Sequence, residues 1–257
     1  MKAFGTASGI TVGATLLALL AAPSVPGAQA QARECRQALV LGLDVSGSVD
    51  MAEYRLQIDG VATALEDPEV REILLASPDA PVSIAVFEWS ASSYQKIILP
   101  WTELSGEVAV FSATTNLRNW RRSHAPYATG LGTAMEFGAA LLAQKPECAR
   151  LTLDISGDGK NNTWPRPVMV HNSGVLGGIT VNALVIGEPP VIVEGQETPR
   201  PPSTTIEELA DYFRERIIRG PGSFVEVAVG FSQYSEAMKR KLLREIATFA
   251  IGDNASD

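Results

Sequence analysis

Ala38-Leu39-Val40-Leu41-Gly42-Leu43-Asp44-Val45-Ser46-Gly47-Ser48 is the stretch that decides the fold. Its first six residues carry no charge and are rich in Leu and Val. That is the composition of a strand buried on both faces, and the polar pentapeptide stands where the strand ends. In an open α/β sheet the carboxyl ends of the strands are where ligands bind, under loops that carry function on a rigid scaffold. Asp44, Ser46 and Ser48 put one carboxylate and two hydroxyls at alternating positions, an all-oxygen set that suits a hard cation such as Mg²⁺ better than Zn²⁺. Asp and Ser also turn chains and cap helices, and Asp50 is placed to cap a helix beginning near Met51. A metal reading therefore needs partners from elsewhere in the chain.

With 257 residues, 46% hydrophobic and 19% charged, the chain is long enough to bury the core of one large α/β domain, read here as residues 35–252. A formal charge of −8 argues against a nucleic-acid partner, although Arg118, Arg121 and Arg122 form a local basic cluster. Residues 1–30 have the form of a secretory signal peptide. Lys2 is a minimal basic start, Ile10 to Ala22 is an apolar segment too short to span a bilayer, and Ala28-Gln29-Ala30 resembles a cleavage site. The expectation is a monomeric, periplasmic or secreted protein with no membrane span after cleavage. Export places Cys35 and Cys148 in an oxidising compartment, where an even pair is usually bridged. Each precedes a core strand by a few residues, so parallel neighbouring strands bring both thiols to the amino-terminal edge of the sheet.

Tyr54, Ile58, Val61 and Leu65 recur at helical spacing, predicting an amphipathic helix from Met51 to Glu66. Pro68 and Ser77-Pro78-Asp79 are read as breaks before a strand from Val82 to Trp89. Ile97 to Trp101 follows after a link too short for a helical crossover, which implies an antiparallel hairpin. Glu103 to Leu117 is expected to be helical, with Val108, Phe111 and Leu117 inward, and Arg118 to Ala128 to be a loop. A helix through Leu131, Met135, Gly138 and Leu142 comes next, its small residues allowing close packing on the sheet. Strands from Leu151 to Ser156 and Ile179 to Gly187 flank a short helix somewhere in Pro165 to Gly177. The proline-rich run Glu188 to Ser203 reads as an irregular insertion. A helix from Thr205 to Arg219, a strand from Phe224 to Val229 and a helix through Met238, Leu242, Ile246 and Phe249 complete the chain. This order implies a Rossmann-like α/β domain: a mostly parallel sheet, one antiparallel edge strand, helices on both faces.

Three features gather at the carboxyl edge: Asp44-x-Ser46-x-Ser48, the segment Thr129-x-x-Gly132-x-Ala134-Met135, and the pair Asp158-Gly159. In these motifs, in their order and over roughly Ala38 to Ala250, the chain resembles von Willebrand factor type A (vWA) domains that carry a metal-ion-dependent adhesion site. Ser-Gly-Asp-Gly-Lys-Asn-Asn and the leader resemble a bacterial exported branch of that family. The resemblance implies that Ser46 and Ser48 bind the cation directly, Thr129 directly or through water, and Asp44 and Asp158 mostly through water. Mg²⁺ is the expected ion, with Mn²⁺ or Ca²⁺ as substitutes. Two carboxylates balance a dication, but neutral hydroxyls leave it short of anionic donors, so a carboxylate from a partner can complete the coordination.

Asp154 lies inside the strand, four residues before Asp158, and is either a supporting group behind the metal ligands or a structural acid. Glu88 is expected to be a solvated rim acid. Trp120 and Arg121 are candidate partner-binding residues in a loop bordering the site. The favoured function is a non-enzymatic module that captures an Asp or Glu carboxylate of a protein or peptide. A metal-dependent hydrolase or phosphatase is the alternative, as is an accessory subunit of a larger assembly. With two His, neither adjacent to a motif, the candidates for a general base are few. The sequence also has no Gly-x-Ser-x-Gly elbow, no Walker lysine loop, and no Gly-x-Gly-x-x-Gly after the first strand.

Overall fold

The computed structural model describes residues 35–187 and 205–247, together with residues 1, 2 and 5. The expected leader, the proline-rich insertion and the end of the last helix at Phe249 fall outside these residues, apart from isolated positions of the leader. The strands are β1 (Gln37–Asp44), β2 (Val82–Trp89), β3 (Gln95–Leu104), β4 (Leu151–Gly157), β5 (Ile179–Gly187) and β6 (Val225–Val229). They form one sheet in the order β3-β2-β1-β4-β5-β6. Only the β2–β3 pairing is antiparallel.

The helices are α1 (Met51–Glu66), α2 (Pro68–Leu75), α3 (Glu107–Asn119), α4 (Leu131–Leu142), α5 (Pro167–Ser173), α6 (Ile206–Arg216) and α7 (Tyr234–Ala247). Strand alternation divides the core in two. Leu39, Leu41 and Leu43 of β1 face α1, α2, α3 and α7, whereas Ala38 and Val40 face α4, α5 and α6. Every residue of β1 is buried, as its uncharged composition requires. Because β2 lies on one side of β1 and β4 on the other, the winding of the chain reverses between β1 and β4. A crevice opens at that point between loops diverging to opposite faces, and Asp44 and Asp158 stand at its two sides.

Cys35 and Cys148 are disulfide-bonded at the amino-terminal edge, beside the starts of β1 and β4. Among the described residues no helix is long and apolar enough to cross a membrane.

The structure corrects several expectations. Pro68 begins a helix rather than only breaking one: it occupies the first turn of α2, where its missing N–H costs nothing, and Asp67 caps that turn through the Glu69 N–H. The hairpin strand continues to Leu104, pairing with Val82 at the start of β2, so α3 begins at Glu107 instead of Glu103. The inward face of α3 is Val110, Ala113, Thr114 and Leu117. Val108 and Phe111 point to solvent, 80% and 67% exposed, because the true stripe is rotated from the one read. Glu88 is fully buried, taking hydrogen bonds from the hydroxyls of Tyr54 (3.0 Å) and Tyr94 (2.6 Å).

Candidate metal site

Asp44, the last residue of β1, is buried, and the chain must turn sharply past it to reach α1. The turn is held from within and from outside. The Ser46 backbone N–H donates to Asp44 Oδ1 (2.8 Å), and Asp50 caps α1 in a reciprocal box with Glu53. Gln57 donates to the Asp44 carbonyl (2.9 Å). Arg122 reaches across from the loop after α3 and donates to the carbonyls of Val45 (3.0 Å), Val49 (2.8 Å) and Asp50 (2.9 Å). One guanidinium thus clamps the whole β1–α1 loop, with its flat face toward the Tyr54 ring.

The other two loops are tied to this one and to each other. The Ser48 hydroxyl donates to Asp158 Oδ1 (2.7 Å) and lies 3.3 Å from the Ser46 hydroxyl. The Gly47 N–H donates to the Tyr127 carbonyl (3.0 Å). Asn162 pairs with the Thr129 backbone in both directions, accepting from its N–H (2.8 Å) and donating to its carbonyl (3.0 Å). Asn161 accepts from the Gly132 N–H (3.2 Å) at the start of α4. Gly132 is required there, because a Cβ would collide with the Pro165 carbonyl. Thr129 faces the Asp158 segment, its Oγ1 3.6 Å from where a side chain on Gly159 would begin. Asp44, Ser46, Ser48, Thr129 and Asp158 therefore come together from three separate loops.

The electrostatics leave a place for a cation. Burial, and then the adjacent Asp158 charge, push the Asp44 carboxyl up to about 8. Burial also raises Asp158, against the pull of the Ser48 hydroxyl. Asp44 Oδ2 is buried with no hydrogen-bond partner in the protein. Two carboxyls held together with an orphaned oxygen and two adjacent hydroxyls fit a hard dication, and oxygen-only donors favour the Mg²⁺ class. Among the described residues there is no cluster of three or more His, Cys, Asp or Glu that could hold a metal.

Asp154 is elsewhere. With Ser156 it faces α7, where it pairs with fully buried Lys241 (2.8 Å), which also pairs with Glu245 (2.5 Å). Asn182 bonds Glu245 (2.7 Å), and Ser156 lies 3.0 Å from the Tyr234 hydroxyl. Asp154 is a structural acid, and only past the end of β4 does the chain swing Asp158 toward Ser48. Trp120 is half-buried against the core, with Lys96 over its ring. Arg121 is exposed, and so is His124. Arg118 is spent on Glu66, with two bonds of 2.5 and 2.7 Å.

The sequence reading missed the roles of Arg122, Asn161 and Asn162. Their partners are largely backbone groups of distant loops, carbonyls for Arg122 and N–H groups for the two Asn side chains, and the only sequence signal is polar residues in otherwise aperiodic segments.

Residues 34–250 match the family described as "Protein of unknown function (DUF1194)". The chain belongs to the DUF1194 family. No curated protein matches this DUF1194 sequence. Among solved structures it is similar to proximal thread matrix protein 1 from the mussel byssus with a zinc-occupied MIDAS motif, at 18% identity and a TM-score of 0.58 over 84% of this chain and 49% of that one. It is also similar to a von Willebrand factor type A protein from Catenulispora acidiphila (15% identity, TM-score 0.53, 81% of this chain and 42% of that one). A third is an aerotolerance-related membrane protein from Bacteroides fragilis (16% identity, TM-score 0.52, 80% of this chain and 98% of that one). The DUF1194 chain has the vWA fold, and it spans about half the length of the mussel protein.

Proposed function

We propose that this DUF1194 protein is an exported, non-enzymatic binding module that captures a carboxylate of a protein or peptide through a Mg²⁺-class dication. The observation that carries the reading is the buried, unpartnered Asp44 Oδ2 beside Asp158, with the Ser46 and Ser48 hydroxyls adjoining. Ser46, Ser48 and Thr129 would hold the ion, and Asp44 and Asp158 would balance its charge. When bound, such an ion offers an open coordination position with uncompensated positive charge, which an acidic side chain fills. The chain's own contribution is rigidity. Arg122 fixes the first loop, Asn162 seats Thr129, and Gln57 holds the strand end. The zinc-occupied MIDAS of the mussel neighbour supports divalent-metal binding by this fold. The disulfide supports export.

Calorimetric titration of Mg²⁺ and Mn²⁺ into the mature chain and into Asp44→Ala tests the site. Saturable binding that is lost in the variant is expected. Equal heats in both proteins would refute it.

A further inference from the structure

Two of the segments that border the metal loops are free of acids on an acidic protein, whereas the acids of the β1–α1 loop, Asp50 and Glu53, are tied to each other's backbone N–H in the cap of α1. The formal charge is −8, yet no Asp or Glu occurs between Glu107 and Glu136, or between Asp158 and Glu188. Those two runs carry Thr129 and the loop that follows Asp158, so they border the site on both sides. Within them Arg118 is paired with Glu66 and Arg122 is committed to backbone carbonyls. Arg121, Lys160 and Arg166 are exposed, and among the described residues no carboxylate pairs with them. Arg166 lies over the ring of Trp164, 5.3 Å from its centre, and that ring is itself 63% exposed.

Lys160 and Arg166 open onto a hollow of about 790 Å³ beside the site, whose far wall is α6. That wall is acidic, but its acids are engaged or distal. Asp211 is bonded to Arg214 (2.6 Å), Glu208 accepts from the Thr205 N–H (3.3 Å), and Glu215 lies 4.0 Å from Arg216. Lys160 and Arg166 thus stand on the metal-loop side of the hollow, and the α6 acids face them across it beside Arg216.

We propose that the basic side chains of these two segments select a short run of acidic side chains in a polypeptide: one carboxylate for the dication, and its neighbours for Arg121 on one side and Lys160 and Arg166 on the other. The run is short, because a further acid would meet the α6 wall. This rests on the capture of a carboxylate argued above and adds the chemistry of the residues flanking it. Exposed charge pairs contribute little one by one, but several around one anchored group set specificity.

The test uses two labelled Gly-Ser peptides, one with a single Asp and one with that Asp flanked by Glu on both sides. Their binding to the mature protein in saturating Mg²⁺ is read by fluorescence anisotropy. The flanked peptide should bind about tenfold tighter, a preference that falls to about onefold in Arg121→Gln/Lys160→Gln/Arg166→Gln. Taking the ratio of the two peptides within each protein cancels any change in metal affinity. Lys160→Glu alone should reduce the preference in the same direction. Mg²⁺-dependent binding of the single-Asp peptide with no preference for the flanked one overturns this inference and leaves carboxylate capture standing. A preference that survives the triple substitution also overturns it. If neither peptide binds, both proposals fail.

Discussion

Asp44 decides how the site responds to pH and metal. Its folded-state carboxyl is held at about 8, against an ordinary 3.8. Metal-free folded protein therefore keeps a proton that the unfolded chain releases. That contribution to stability is fully present below the ordinary carboxyl value, falls as pH rises, and levels off above about 8. Buried Asp154, raised to about 7 despite Lys241, acts in the same sense. In chelator, unfolding free energies from urea titration should drop from mildly acidic to mildly basic pH, by at most about 1.4 kcal/mol per pH unit for each group. Saturating Mg²⁺ should reduce the drop, because binding the ion requires the ionised carboxyls. Asp44→Asn should also flatten the slope while abolishing any rise in Tm on adding Mg²⁺. A ligand at about a hundredfold its Kd should otherwise stabilise by about 2.7 kcal/mol. Asp44 was legible as the last residue of a buried strand because the uncharged run stops there. Glu88 was misread for lack of any such signal. Its two tyrosine partners come from α1 and from the turn before β3, and no local pattern announces them.

Among the elements, the β1–α1 loop depends on one side chain from another loop. Arg122→Ala removes the hydrogen bonds to Val45, Val49 and Asp50 and should weaken Mg²⁺ binding about tenfold, or about 1.4 kcal/mol. Arg122→Lys should recover only part of this, since an ammonium cannot reproduce the planar fork. Calorimetry beside urea unfolding separates loss of the loop geometry from loss of the fold. α7 is anchored to β4 and β5 by the buried Asp154, Lys241, Glu245 and Asn182 cluster. Lys241→Met leaves two acids without their cation and should cost about 3–5 kcal/mol in chemical denaturation. Boundaries and faces of helices were the weakest part of the sequence reading. In α3 apolar residues stand on more than one face, and packing against α1 and β3 selects Val110 and Leu117 over Val108 and Phe111.

At the scale of the molecule, the disulfide and the proposed metal site lie at opposite edges of the sheet. The Cys35–Cys148 bridge closes a loop with a sequence separation of 113. By the chain-entropy argument, Cys35→Ser/Cys148→Ser should lower stability by about 5 kcal/mol. Mg²⁺ affinity should be retained as long as the protein remains folded, because the metal loops leave the carboxyl ends of the same strands. Unfolding curves and Mg²⁺ titrations on one preparation check both. Loss of Mg²⁺ binding in the still-folded double variant would show that the two edges are coupled.

The sequence alone determined the alternation of elements, the buried central strand, the antiparallel hairpin and the gathering of Asp44, Ser46, Ser48, Thr129 and Asp158 at one edge. Each follows from short-range patterns: uncharged runs, helical spacing, connection lengths and polar residues where strands end. The tertiary structure alone decided that Asp154 serves α7 rather than the site, that Trp120 is packed while Trp164 is exposed, and that Arg122 and Asn162 hold the loops. Those outcomes depend on which distant backbone carbonyl or buried charge a polar side chain meets. Local periodicity carries no record of such contacts, because they exist only once the strands have taken their order.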